Sequence, residues 1–236
     1  MAATMRTDVG RIRQQNEDAA WFDEARAVFA VADGMGGHMA GEVASAMAID
    51  AVKKSVADGN APGIAPLREM VTSGNAAIYD HAVSHPECSG MGTTLSVMWR
   101  AGRYAYIAHV GDSRIYRLRG ERFDQITMDH SLVEEMVRAR VITREEARKH
   151  PRRNVITRAL GTKGDCHPDL LAADIAPGDI WLLCSDGLTG MVEDDVIRET
   201  LTKYPLEKAA DRLIDLALEA GGKDNVTLVL YRCEEG

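Results

Sequence analysis

The sequence predicts an α+β fold, antiparallel sheets with helices packed outside them, and three observations carry the prediction. Strand-like runs and helical periodicities are both present and neither dominates; two helices follow one another directly; several strands come nearly back to back. A parallel doubly wound sheet would instead require strict strand-helix alternation. The first strand is the apolar run VFAVA at 28–32. Helical periodicity marks 41–57, where Val43, Met47 and Ala51 form a face suited to covering a sheet, and then 66–84. Runs rich in Val, Ile, Tyr and Trp follow at 94–99, 103–110 and 113–119, with Ala101-Gly102 and Gly111-Asp112 read as the turns of hairpins. Next come a helix over 131–150, a strand over 179–185, a helical stretch over 194–220 and a last strand over 226–232.

With 236 residues and 45% hydrophobic content, the chain can bury one sizeable core, and no repeat, low-complexity tract or biased linker divides it. One domain over 1–236 is expected. No run of about 18 apolar residues spans a bilayer, and MAATMRTDVGR lacks the apolar centre of a signal peptide, so a soluble, cytoplasmic protein without a membrane partner is expected. Cys88, Cys166, Cys184 and Cys233 form no C-x-x-C pair, which suggests neither a zinc knuckle nor a disulfide framework. Against 36 acidic residues stand 28 basic ones, a net charge of −8. That balance speaks against a nucleic-acid partner, whose binding rests on neutralising phosphates, but it suits the holding of cations.

The stretch VFAVADGMGGHMAGE (28–42) breaks from an apolar run into glycines at Asp33-Gly34. Asp-Gly is also a common turn pair, so one instance has little weight. The pattern recurs in IWLLCSDG, which ends at Asp186-Gly187; Asp224 stands just before the last strand in GGKDNVTLVLY, and Asp112 lies between two strands in HVGDSR. Strand-end carboxylates can converge on one sheet rim, where they repel unless cations lie between them. Ligands that are all oxygen point to Mg²⁺ or Mn²⁺.

These residues belong to a longer series: TDVGRIRQQNEDA, VADGMGGHMAGEVAS, GMGTTL, HVGDSRIYRL, DHSLVEEM, NVITRALG, LLCSDGLTGMV and GGKDNVTLVL, in order from Thr7 to Leu230. In this the chain resembles the bacterial PPM (PP2C-type) metal-dependent protein serine/threonine phosphatases. The resemblance implies a four-layer αββα sandwich, two antiparallel sheets flanked by pairs of helices. It implies two or three bound Mn²⁺ or Mg²⁺ ions: Asp33 bridging two, the carbonyl of Gly34 on one, Asp186 and Asp224 on the other, and Asp112 sharing a third, weaker ion with Asp186. Glu17 and Asp18 would hold metal-bound waters. Gly34, Gly36 and Gly37 fit a backbone that must come close to an ion.

Two such ions about 3.5–4 Å apart can share a water and present hydroxide to a phosphoryl group. The resemblance makes that bridging hydroxide the nucleophile, and no cysteine stands in a C-x5-R arrangement to compete with it. Arg13 would grip the phosphoryl oxygens as a fork, and His38 would protonate the departing serine or threonine oxygen. Taken singly, Arg13 reads as a surface arginine and His38 as a structural histidine; the R-x-x-N-E-D context and the place beside Asp33 argue otherwise. Thr93 and Thr94 read as strand supports. Asn225 would orient Asp224 through its side chain, and Asn16 would do the same for the turn before Asp18. The arginine-rich segment at about 137–154 falls where bacterial members carry a flap, and reads either as a substrate contact or as a solvated helix pair. The implied substrates are phosphoserine and phosphothreonine proteins, the implied opponent a Hanks-type Ser/Thr kinase, the implied state a monomer. Two alternatives stay open: an inactive phosphoprotein-binding module of the same fold, against which stand the retained Arg13, Asp33, Asp186, Asp224 and His38, and a two-metal hydrolase of another phosphoester, which the 5% aromatic content disfavours.

Overall fold

In the computed structural model, which describes residues 3–36 and 40–234, the chain runs through eleven strands and seven α-helices. Strands β1 (Ala3–Asp8), β2 (Asp18–Asp23) and β3 (Val28–Met35) come first, then helices α1 (Ala40–Ala57) and α2 (Ile64–Ser84). After a short 3-10 turn follow β4 (Gly92–Thr93), β5 (Leu95–Ala101), β6 (Tyr104–Val110), β7 (Arg114–Arg119) and β8 (Arg122–Gln125). Helices α3 (Leu132–Arg138) and α4 (Arg144–Lys149) lead to β9 (Asp169–Asp174) and β10 (Ile180–Cys184). The chain finishes with α5 (Asp186–Thr189), α6 (Asp194–Lys203), α7 (Leu206–Glu219) and β11 (Val226–Arg232). One sheet has the order β1-β11-β10-β7-β8; the other has the order β2-β3-β5-β6-β9, with β4 attached to β3. Their pairings are all antiparallel.

The two-residue period of a strand builds the layers. Along β3, Val28, Ala30 and Ala32 face the helices α1 and α2, while Phe29 and Val31 face the other sheet. Along β10, Ile180, Leu182 and Cys184 face α6 and α7, while Trp181 and Leu183 point into the gap between the sheets. That gap is closed by Phe29, Met98, Ile107, Ile115, Trp181, Leu183 and Val229, all fully buried. Four layers result, helices, sheet, sheet, helices. Helix α1 seats on its sheet through Ala44, Ala48 and Val52, one residue round from the face read in the sequence, with Val43 and Met47 at its flank. Alanines on that face let the helix lie close to the strands.

Three expectations are corrected. The Gly111-Asp112 pair does not turn a hairpin: β6 and β7 lie in different sheets, and the pair carries the chain across. Gly111 makes that crossing at φ +108, where an added Cβ would meet Thr94 Cγ2 at 2.4 Å. The helix expected over 131–150 is two helices, broken where Arg140 takes φ 58 and Thr143 caps α4 in a reciprocal capping box with Glu146. The helical stretch 194–220 is likewise divided at Pro205, which lacks the N–H to continue and disfavours a helical Tyr204. The turn at Gly102 is a true hairpin, joining Ala101 and Tyr104 across a two-residue loop.

Candidate active site

Both Asp-Gly steps end at the same rim. The β2–β3 register sets Asp18 opposite Asp33. Asp33 is fixed through its backbone: its N–H donates to Thr94 Oγ1 at 2.9 Å, and its carbonyl accepts from Thr94 N and Thr93 Oγ1, each at 2.9 Å. Thr93 and Thr94 thus do more than support strands. Gly34 is needed for closeness rather than for unusual dihedrals, since a Cβ there would stand 2.1 Å from the Gly41 carbonyl oxygen and 2.5 Å from that of Glu17. At the second step a Cβ on Gly187 would lie 1.9 Å from the Asn225 carbonyl oxygen.

From the other sheet, β10 delivers Ser185 and then Asp186. Ser185 Oγ donates to Asp18 Oδ2 at 2.7 Å and receives the Thr227 N–H at 3.0 Å, which ties the two sheets together at the rim. Asp224 Oδ1 accepts the Asn225 N–H at 2.9 Å, and its Oδ2 pairs with Arg13 Nη2 at 2.9 Å. Asp112 sits on the crossing between the sheets, and the next residue, Ser113, shares a 2.7 Å hydrogen bond with Thr94.

The electrostatics show how crowded the rim is. Desolvation first, then the charges of Asp18, Asp186, Asp112 and Asp224, hold the Asp33 carboxyl well above its ordinary range. Desolvation followed by Asp186 does the same to Asp112. Asp18 is pushed up to about 7, mainly by desolvation, although Ser185 and Thr227 favour its charged form. Asp186 is pushed up to about 6 by desolvation and by Asp224, while hydrogen bonding with Asp33 works the other way. Glu17 is raised by desolvation.

A group of oxygen donors repelling one another is chemically suited to hard divalent cations. Asp18 Oδ1 supports the fit, being buried with no hydrogen-bond partner. Among the described residues no three acidic or imidazole side chains stand as a ready-made cage; the Arg13 guanidinium answers one of the charges, that of Asp224.

Arg13, Glu17, Asp18, Asp33, Gly34, Asp112, Asp186, Asp224 and Asn225 are therefore brought to one region, while His38 lies outside the described residues. Asn225 is corrected in its means. Its side-chain hydrogen bonds go elsewhere than to Asp224; Oδ1 accepts the Glu17 N–H, and Nδ2 donates to the carbonyls of Val9 and Gln15, each bond 2.8 or 2.9 Å. It holds the loop that carries Arg13 and Glu17. Asn16 acts as expected, accepting the Asp18 N–H at 3.2 Å. Ser185 and Ser113 were missed in the sequence, although a serine directly before the second Asp-Gly was a signal. The 137–154 segment is an exposed helix pair whose Arg148 pairs with Glu193 and Asp194 at the start of α6.

Two facing antiparallel sheets, helices outside them and carboxylates of both sheets on one rim define an αββα sandwich with an acidic centre. The sequence profile of protein phosphatase 2C matches residues 10–224, and the chain belongs to that family. The serine/threonine protein phosphatase PstP of Mycobacterium tuberculosis is 44% identical over 228 residues, 95% of this chain but 43% of that protein. The serine/threonine phosphatase stp of Listeria monocytogenes is 43% identical over 239 residues, 98% of this chain and 95% of its own. The solved catalytic domain of PstP in complex with two manganese ions is similar at TM-score 0.90 and 40% identity, covering 99% of this chain and 98% of that one.

Proposed function

We propose that the chain is a metal-dependent protein phosphatase that hydrolyses phosphoserine and phosphothreonine in proteins, acting as one catalytic domain over 1–236. The observation that carries this is the convergence of Asp33, Asp112, Asp186 and Asp224 from both sheets, beside Arg13. Asp33, the Gly34 carbonyl, Asp186 and Asp224 would hold two divalent cations, manganese or magnesium, and Asp112 with Asp186 would hold a third. Glu17 and Asp18 would orient the waters around them, and the unpartnered Asp18 Oδ1 supports that role. When bound, such cations supply a water that ionises near neutral pH and positive charge beside the phosphoryl oxygens. Arg13 turns its fork from Asp224 to those oxygens. His38 gives a proton to the departing serine or threonine oxygen.

The names of the relatives favour a phosphoprotein substrate over another phosphoester, and favour an enzyme over an inactive binding module. A Hanks-type kinase is the expected opponent, and the chain works as a monomer in the cytoplasm. Among the described residues no helix is long and apolar enough to cross a membrane.

The test is hydrolysis of a phosphothreonine peptide with Mn²⁺ and with EDTA, by the native chain and by Asp33→Asn. Turnover is expected only with metal, and Asp33→Asn is expected to lose about 10³-fold or more, as removal of a metal-charge partner at a reacting centre does. Turnover that persists under chelation, or in Asp33→Asn, contradicts the reading.

A further inference from the structure

His130, buried beside the crossing between the sheets and not used by the proposed chemistry, holds one residue, Gly111, by its carbonyl and by its N–H. Its N–H donates to the Gly111 carbonyl at 2.7 Å, and its ring Nδ1 accepts the Gly111 N–H at 3.1 Å. Gly111 is the residue before Asp112 and stands at φ +108, a conformation that its own local sequence does little to hold. Because Nδ1 accepts, the ring proton is on Nε2, which faces Asp169 Oδ2 at 3.2 Å. Arg158 Nη1 lies 3.0 Å from the other Asp169 oxygen, 3.0 Å from the His167 carbonyl and 3.2 Å from His130 Nε2.

The same residue anchors the root of the helix pair. Its carbonyl accepts the Thr157 N–H at 2.7 Å, the next residue, Ser131, caps α3 through the Glu134 N–H, and Leu132 N donates to Val155 O at 2.8 Å. Behind the ring stands His109, with centroids 4.9 Å apart, itself fixed by Ser96 Oγ and the Met128 carbonyl.

We infer that His130 is a positioning residue for Asp112: it clamps Gly111 through the two peptide groups on either side of its Cα, and Asp169 holds its imidazole in the tautomer that can do so. Strand β9 and the root of the α3–α4 segment thereby set where the Asp112 carboxylate points. The inference rests on the reading of Asp112 as a cation ligand, and groups that orient ligands from behind are commonly worth about 10- to 100-fold in metal affinity.

Two substitutions separate the arms of the clamp. An asparagine oxygen falls near the place of Nδ1 and a glutamine amide near that of Nε2, so His130→Asn keeps the Gly111 arm and His130→Gln keeps the Asp169 arm. The readouts are hydrogen exchange of the Gly111 amide in EDTA-treated protein and calorimetric titration with Mn²⁺; Asp112→Asn is the control. His130→Gln and Asp169→Asn are expected to speed Gly111 exchange and to weaken the weakest Mn²⁺ step by about tenfold. His130→Asn is expected to leave both unchanged. The inference is overturned if His130→Gln leaves Gly111 protected, or if His130→Asn and His130→Gln lose exchange protection, Mn²⁺ binding and melting temperature alike, which is what a merely structural histidine gives. An Asp112→Asn protein that titrates like the native one sinks the ligand reading instead, while the exchange data still decide the clamp. Should His130→Gln fail to fold, His130→Asn and Asp169→Asn carry the same comparison.

Discussion

Asp224 and Asp18 occupy one rim but are held in opposite ways. Asp224 has a guanidinium on one oxygen and a backbone N–H on the other, so its charge is already answered. Asp18 takes the Ser185 hydroxyl on one oxygen and has no hydrogen-bond partner on the other. Arg13 is half exposed in that pair, and the proposed function has it exchange the Asp224 carboxylate for a phosphoryl group. Arg13→Ala is expected to lower kcat/KM on a phosphothreonine peptide about 10- to 100-fold, the worth of one charge-assisted hydrogen bond at about 1.5–3 kcal/mol. Arg13→Lys is expected to restore only part, because an ammonium lacks the planar fork. Steady-state kinetics check this, and a lysine variant equal to the native enzyme would show that a point charge is enough.

At the scale of elements, four of the strands not legible in the sequence have one thing in common. β1, β2, β8 and β9 are the outer strands of the two sheets. β2 is half-buried along its whole length, and β9 is half-buried over its first three residues and exposed at Ala172 and Asp174. An edge strand has less demand for a long buried run, so DAAWFD and DLLAAD hold only four apolar residues between aspartates and none of them is fully buried, whereas the central β3, β10 and β11 announce themselves. The helix pair follows a different logic. Neither α3 nor α4 has a buried residue, so end caps and ion pairs hold α4 in place of a core. Thr143→Ala is accordingly expected to weaken α4 by about 1 kcal/mol, the usual worth of a cap. The expected signature is faster proteolysis within 138–154 and an unmoved melting temperature; a fall in that temperature would mean that the pair is part of the main cooperative unit.

At the scale of the whole molecule, two sets of buried groups titrate with opposite sign, the acidic rim and the histidines His109 and His130. The folded carboxyls of Asp186 and Asp18, at about 6 and about 7, lie above the ordinary aspartate value near 4. Without metal, the folded chain therefore keeps protons that the unfolded chain has released, so this contribution is complete below about pH 4 and is lost as pH rises through about 7. Burial lowers His109 to about 4, so the folded chain refuses a proton that the unfolded chain accepts below about pH 6.5, and stability is lost as pH falls. The two oppose each other between about pH 4 and 6.5, and only the carboxyl contribution remains above that. The melting temperature of EDTA-treated protein is expected to fall from about pH 6.5 to 8, and saturating Mn²⁺ to remove that slope. A melting temperature that climbs over this range in EDTA would show that the acidic rim does not dominate.

The sequence by itself determined the class of fold, the central strands, the paired Asp-Gly steps and the acidic residues that meet at the rim. It could do so because burial demands apolar runs in central strands and because a close backbone approach demands glycine. Only the tertiary structure decided that Gly111-Asp112 crosses between sheets, that Asn225 holds the Arg13 loop rather than Asp224, and that Ser185 and His130 fasten the rim from outside. Those contacts join residues up to 216 positions apart, and a hydrogen bond across that distance leaves no periodicity in the chain; it exists only once the sheets have packed.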